Sequence, residues 1–171
     1  MKNMKNITIR KAKFFDFYPI IELSKQMYKF NFPKRFPPWF ERKSDVKNKI
    51  DNGKIIVVLK GCPEKVIGYL SFEFFAGNDF VDIDTVIVDK KYIRSGIGRK
   101  LVKYFLNKTA KEIKKIKRVT TGSYKVFKDK EFYLKMGFKE IFPYDCKEGE
   151  LDWYEFEKKL VKTGKIGYKN N

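Results

Sequence analysis

Histidine is absent from the 171 residues, and that gap alone removes whole classes of chemistry. Without imidazole there is no Ser-His or Cys-His nucleophile pair, so proton transfer falls to Asp, Glu, Tyr or Lys. Cysteine is nearly as scarce. Cys62 and Cys146 stand in Gly-Cys-Pro and Asp-Cys-Lys contexts, without CxxC spacing. That pattern argues against a metal centre or a disulfide and fits a reducing compartment. Long apolar runs are missing too. No stretch reaches the length of a membrane span and the opening MKNMKNITIR lacks the apolar segment of a leader, so a cytoplasmic setting away from membranes is expected.

Arginine is the next shortage. The net charge is +18, but only six arginines stand against 33 lysines, and the lysines are spread along most of the chain. Arginine is the preferred reader of base edges and the bidentate partner of phosphate, so the charge reads first as a solvated basic surface. Nucleic-acid binding stays possible but not favoured. Hydrophobic content of 43%, with 17% aromatic, excludes a disordered chain. The length suits one domain, expected over residues 1–160 with a polar tail over 161–171, and the protein is read as a monomer or homodimer.

The central stretch is Val81 to Phe105, VDIDTVIVDKKYIRSGIGRKLVKYF. Alternating, β-branched residues from Val81 to Val88 predict a strand, and Ile97, Leu101, Val102 and Phe105 at helical spacing predict a helix. Between them lies Ser95-Gly96-Ile97-Gly98. The first N–H groups of a helix have no intrahelical partner and the helix dipole is positive there, so an anion is stabilised at that end. Gly96 and Gly98 let it approach the main chain, and Arg94, Arg99 and Lys100 add charge. No Walker or Rossmann spacing is present.

The other elements follow in order. Ile7–Arg10 predicts a strand, and Asp16 an N-cap for a helix reaching Tyr28. Asn31 to Trp39, rich in proline and aromatics, predicts an irregular segment. A polar helix over Glu41–Ile50 is followed by a hairpin of strands over 54–59 and 65–74. Strands over 118–121 and 152–160 complete the set. Phe132-Tyr133-Leu134-Lys135-Met136-Gly137-Phe138 reads as a helix end capped by Gly137, with Phe138 starting a further strand.

Two of these segments resemble motifs of the GNAT superfamily of acyl-CoA N-acyltransferases. Ile93-Arg94-Ser95-Gly96-Ile97-Gly98 is similar to Gln/Arg-x-x-Gly-x-Gly/Ala, with Ile93 in place of the usual Gln or Arg. Phe132–Phe138 is similar to Phe-Tyr-x-x-x-Gly-Phe at the family's usual distance. The resemblance covers about residues 7–160. It implies a mixed α/β (α+β) fold: a mostly antiparallel sheet of about seven strands with a central splay, flanked by about four helices.

It also implies an N-acetyltransferase using acetyl-CoA (coenzyme A). Main-chain groups of Val86, Ile87 and Val88 would meet pantetheine, and Ile93 to Lys100 the pyrophosphate. Tyr133 would be the general acid and Asp84 the general base or proton relay. The family's Asn before the second motif is not evident; Ser123 or Lys125 lies near its place. Trp39 falls where the family commonly borders the acceptor.

Residues 66–89 add a reading of their own. They contain Glu73, Asp79, Asp82, Asp84 and Asp89 but no Lys or Arg, an acidic island in a basic chain. Alternation predicts Asp82, Asp84, Val86 and Val88 on one strand face, with Asp82 and Glu73 as further candidates to draw in an amine. The acceptor is thus a cationic small molecule of polyamine or aminoglycoside type, or a protein amine. The alternative is a catalytically silent basic module that binds nucleic acid or an acidic protein.

Overall fold

The structure is a computed structural model and describes residues 6–26, 42–74, 77–113, 116–141 and 153–160. Trp39, Cys146 and the tail over 161–171 lie outside the described residues. Seven strands form one sheet: β1 (Ile7–Lys11), β2 (Ile55–Lys60), β3 (Lys65–Phe74), β4 (Phe80–Val88), β5 (Arg118–Tyr124), β6 (Lys139–Ile141) and β7 (Trp153–Lys159). Their order is β1-β2-β3-β4-β5-β7-β6, antiparallel except where β4 runs parallel to β5. Around it stand α1 (Phe17–Ser24), α2 (Lys43–Asp51), α3 (Ile97–Tyr104) and α4 (Lys130–Lys135). The expected fold class is the observed one.

The sheet is buried on both faces, so its middle strands are apolar throughout rather than alternating. In β2, Ile56 and Val58 pack towards α3 with Leu101, Val102 and Phe105. Ile55, Val57 and Leu59 pack on the other face, with Ile20, Ile21, Val46 and Ile50 of α1 and α2. Asp16 precedes α1 as expected but does not cap it with its side chain. Its buried carboxylate takes Arg10 Nη1 at 2.6 Å and the amide of Lys13 at 2.7 Å, tying β1 to the start of α1.

Helix α3 does not end at Tyr104. It continues through a π-helical turn, Phe105–Thr109, into Ala110–Glu112, and the amide of Ala110 reaches back five residues to Phe105 O. The wide turn suits the sequence. Buried positions recur here every four residues (97, 101, 105, 109 and 102, 106, 110), a longer period than the 3.6 of an α-helix, and the wider turn takes up the drift.

Two details of β4 place everything that follows. It pairs with β5 only from Phe80↔Arg118 to Ile83↔Thr121; beyond Ile83 it continues to Val88 beside β3, while β5 continues to Tyr124 beside β7. The sheet therefore forks. Against β3, Ser71 pairs with Thr85 and Phe72 with Ile83, which leaves Asp84 opposite nothing, as the extra residue of a β-bulge.

Candidate active site in the fork of the sheet

The bulge resets the side-chain alternation, and this corrects one expectation. Val81 and Ile83 face the α3 core, and so do Val86 and Val88, whereas Ile87 lies in the core of α1 and α2. Asp82 and Asp84 do share a face, but Val86 and Val88 are on the opposite one, because one additional residue inverts a period of two.

Between the arms of the fork lies a cleft of about 1870 Å³. One wall is β4 from Asp82 to Val88, and the other is Gly122 to Tyr124 with Asp129, Phe132 and Tyr133 of the α4 region. Arg94 and Arg99 stand at its mouth, beyond the end of β4 at Val88. The main chain of β4 is available to it. The amide of Asp89 donates to Ile67 O, so by antiparallel alternation Ile87 turns its N–H and C=O towards β3. Val86 and Val88 turn theirs the other way, to the side from which β5 has departed.

The turn at the mouth supplies donors. Asp89 accepts from the amide of Lys91 at 2.9 Å and Ser95 N donates to Tyr92 O at 3.2 Å, which folds the chain back before α3. Arg94 and Gly96 have φ of +62° and +86°, and such successive irregular residues turn amides to one side. Among the described residues, the N–H groups of Arg94, Gly96, Ile97, Gly98 and Arg99 find no acceptor in the protein, while Lys100 N is bonded to Gly96 O. A Cβ on Gly96 would meet nothing within 4 Å, so the space in front of the turn is open. Gly98 sits 3.5 Å from the Phe132 ring by the same measure. Ile93 lines the cleft and is 61% exposed. Ser95 and Lys100 are not among the residues on its wall; the Ser95 hydroxyl donates to Tyr92 O.

The crotch holds the titratable groups. Tyr133, one turn into α4, is buried and stacked on Phe156 at 5.0 Å, and its hydroxyl hydrogen-bonds with Thr121. Thr121 in turn donates to Ile83 O at 2.9 Å, on the last rung before the strands part. Burial pushes the phenol's pKa well up, and the carboxylate of Asp129 adds to this. The phenol thus stays protonated, but it no longer has the near-thiol proton affinity expected of a free tyrosine.

Asp82 accepts from Thr120 Oγ1 at 2.6 Å, and no cation lies within ion-pair distance of it among the described residues. Burial raises its pKa, against the Thr120 hydrogen bond, and the neighbouring charge of Asp84 adds to the rise. Asp84 is bridged to the Lys49 ammonium of α2 at 2.9 Å.

The rest of the acidic island has structural partners. Glu73, although on the cleft wall, is paired with Lys54. Asp79 takes Arg118 Nε at 3.1 Å, and Asp89 caps its turn.

Asp129 is a residue that sequence reasoning missed. Its side chain leaves its own helix uncapped and reaches β5, where Ser123 Oγ lies 2.7 Å from each carboxylate oxygen. Burial raises its pKa, opposed by that Ser123 bond. In the sequence it stands between Lys128 and Lys130 with no local signal. Ser123 itself lines the cleft.

Comparison with known proteins gives the arrangement a family. The model of the acetyltransferase (GNAT) domain matches residues 51–140, more than half of the chain. No curated protein matches. The fold is similar to N-acetylglutamate synthase of Neisseria gonorrhoeae, solved with coenzyme A and N-acetyl-glutamate, at a TM-score of 0.73 and 16% identity. That alignment covers 94% of this chain but 36% of the Neisseria chain. The PaiA N-acetyltransferase of Thermoplasma acidophilum, solved with coenzyme A, aligns at 0.70 and 19% identity, over 90% of this chain and 99% of its own. The ribosomal-protein-S18-alanine N-acetyltransferase of Escherichia coli aligns at 0.65 and 15% identity, over 95% and 99%. With fork, turn and family model in agreement, the chain belongs to the GNAT acetyltransferase family.

Proposed function

We propose that this protein moves an acetyl group from acetyl-CoA to a primary amine by direct attack, without an acyl-enzyme. The observation that carries the reading is the run of acceptor-free amides at Arg94 and Gly96–Arg99 at the mouth of the fork. Five N–H groups at a helix start, with two guanidinium groups beside them, fit a diphosphate, and the open space before Gly96 admits it. Val86 and Val88 would pair their main-chain groups with the amides of the pantetheine arm, and Ser123 would lie on the facing wall. Bound there, acetyl-CoA supplies an activated thioester.

The residues at the crotch divide the remaining work. A primary amine is mostly protonated at neutral pH, and it must lose a proton to attack. Asp82 suits the role of base better than Asp84, because burial has raised its proton affinity while Asp84 is already engaged by Lys49. Asp84 then holds Lys49 and completes the negative wall. Tyr133 keeps its proton and donates a hydrogen bond to the departing sulfur as charge grows there, turning its hydroxyl away from Thr121.

The negative crotch favours a cationic amine acceptor. A small polyamine-like molecule or an exposed protein amine would both fit the cleft. That the Neisseria and E. coli relatives act on the amines of glutamate and of a ribosomal protein's alanine supports the amine class.

Isothermal calorimetry with acetyl-CoA, followed by a thiol-release assay over a panel of polyamines, aminoglycosides and N-terminal peptides, tests the reading. Micromolar binding and amine-dependent release of coenzyme A are expected. Absence of binding at high micromolar concentration would overturn it.

A further inference from the structure

A second cleft, of about 610 Å³, lies on the flank of the molecule between the outer side of α3 with its continuation and the ends of α4 and β7. Its charged lining is entirely basic: Arg99, Lys103, Lys111, Lys135, Lys158 and Lys159. Several cations elsewhere are matched to acids, as in Lys49–Asp84, Lys54–Glu73, Arg118–Glu157 and Lys130–Glu140. Lys158 donates to Met136 O at 2.9 Å and Lys135 lies 3.6 Å from Glu131. Arg99, Lys103, Lys111 and Lys159 have no carboxylate partner among the described residues.

The cations on the helical wall are also in register. Arg99, Lys103, Asn107 and Lys111 recur every four residues, and all four line the cleft. In a regular α-helix such a row would wind about 40° per step out of the groove. The π turn at Phe105–Thr109 cancels much of that winding, so the row runs straight along the cleft, with a positive or polar head every ~6 Å. Lys159 faces it from β7.

We infer that this flanking cleft binds the phosphodiester backbone of a single nucleic-acid strand. Three charges and an amide in one row, faced by Lys159 and with no carboxylate in the lining, complement a polymer with one negative charge per repeat. The lining offers lysines and aliphatic carbons (Leu106, Met136, Leu160) but no aromatic ring, so binding is through phosphates and is indifferent to base sequence. The cleft shares Arg99 with the mouth of the fork, but Lys103, Lys111, Lys158 and Lys159 lie outside that site, so the inference does not need acetyl transfer.

Fluorescence anisotropy with a labelled oligouridine 12-mer tests it on the full chain. Four phosphate contacts predict a slope of about −3 in log affinity against log salt, or roughly a fifty-fold loss between 50 and 200 mM. The variant Lys103→Gln/Lys111→Gln/Lys159→Gln changes exposed residues only, and should lessen the slope by about two and weaken binding at least tenfold at 50 mM. A control, Lys13→Gln/Lys47→Gln/Lys65→Gln, removes the same charge from other exposed places and should leave binding within about threefold. Both proteins are checked for an unchanged thermal shift with coenzyme A.

Three results would overturn the inference. One is no binding by the parent at 50 mM salt. Another is an equal loss in the control, which would make the attraction a property of the whole surface. The third is displacement of the RNA by saturating coenzyme A or by polyglutamate at matched charge, which would give the cleft to the cofactor's phosphates or to an acidic protein.

Discussion

The hydroxyl of Tyr133 hydrogen-bonds with Thr121, whose own hydroxyl donates to Ile83 O at the point where β4 and β5 separate. Stacking on Phe156 fixes the ring at the parting of the two strands, so rotation of the O–H alone re-aims its hydrogen bond, which is what a donor to a departing sulfur requires.

Replacing Tyr133 with Phe keeps the stacking on Phe156 and removes only the hydroxyl. Turnover should fall by roughly 10²-fold or more, while acetyl-CoA affinity by calorimetry stays within about twofold. Unaltered turnover would take Tyr133 out of the chemistry.

Asp82→Asn should lower kcat by about 10²–10⁴-fold and flatten the acidic limb of the pH profile. A base acts in its ionised form, so the parent's rate rises as pH climbs through the carboxyl pKa. Because burial has moved that pKa upward, the limb should lie above the ordinary aspartate value of about 3.9. The measurement is kcat/KM against pH for parent and variant; a limb that persists in the variant assigns the titration elsewhere.

Asp129 is read out in stability. Its folded-state pKa is raised, so the native state holds the proton more tightly than the unfolded chain, and the stability this gives is lost as pH rises from about 4 through the folded value. Asp129→Asn cannot ionise and retains a partner for Ser123. Its Tm should therefore exceed the parent's at neutral pH, with the difference shrinking towards pH 4, as followed by calorimetric scans. A difference independent of pH would contradict the cause assigned to the shift.

Gly96→Ala meets no neighbour, so its effect should come through the backbone alone. Holding a side chain at φ of +86° costs about 1–2 kcal/mol, and the turn should relax at the expense of its aligned amides. Coenzyme A affinity should drop about tenfold, with a Tm loss of a few degrees. Gly68→Ala is the contrasting case. Its Cβ would come within 2.9 Å of Ile87 O, a clash costing about 1–3 kcal/mol in stability.

The order of elements was legible because each carries its own local signal. Alternation marked β4, the spacing of Ile97, Leu101, Val102 and Phe105 marked α3, and Gly137, at φ of +80°, marks the end of α4 as a left-handed residue should. The acceptor-free amides sit where a glycine-rich helix start puts them. What stayed hidden depends on pairing across the sheet. The extra residue at Asp84 exists only relative to Ser71 and Phe72, so nothing in the strand's own pattern revealed that Val86 and Val88 turn away from the two aspartates. Glu73 and Lys54 are 19 positions apart, and their ion pair depends on the β2–β3 register. Asp129 carried no local signal, because its link to Ser123 is tertiary.

The unmatched residue in β4 has a further result for how such an enzyme can change. Ile83 and Thr85 already oppose consecutive residues of β3, so deleting Asp84 would close the bulge into a regular ladder and leave Val86 and Val88 on the α3 side where they now lie. One carboxylate would leave the crotch in a single genetic event, with the downstream half of the strand undisturbed. An outlet of this kind lets chemistry be added to or removed from the chamber without re-threading the sheet.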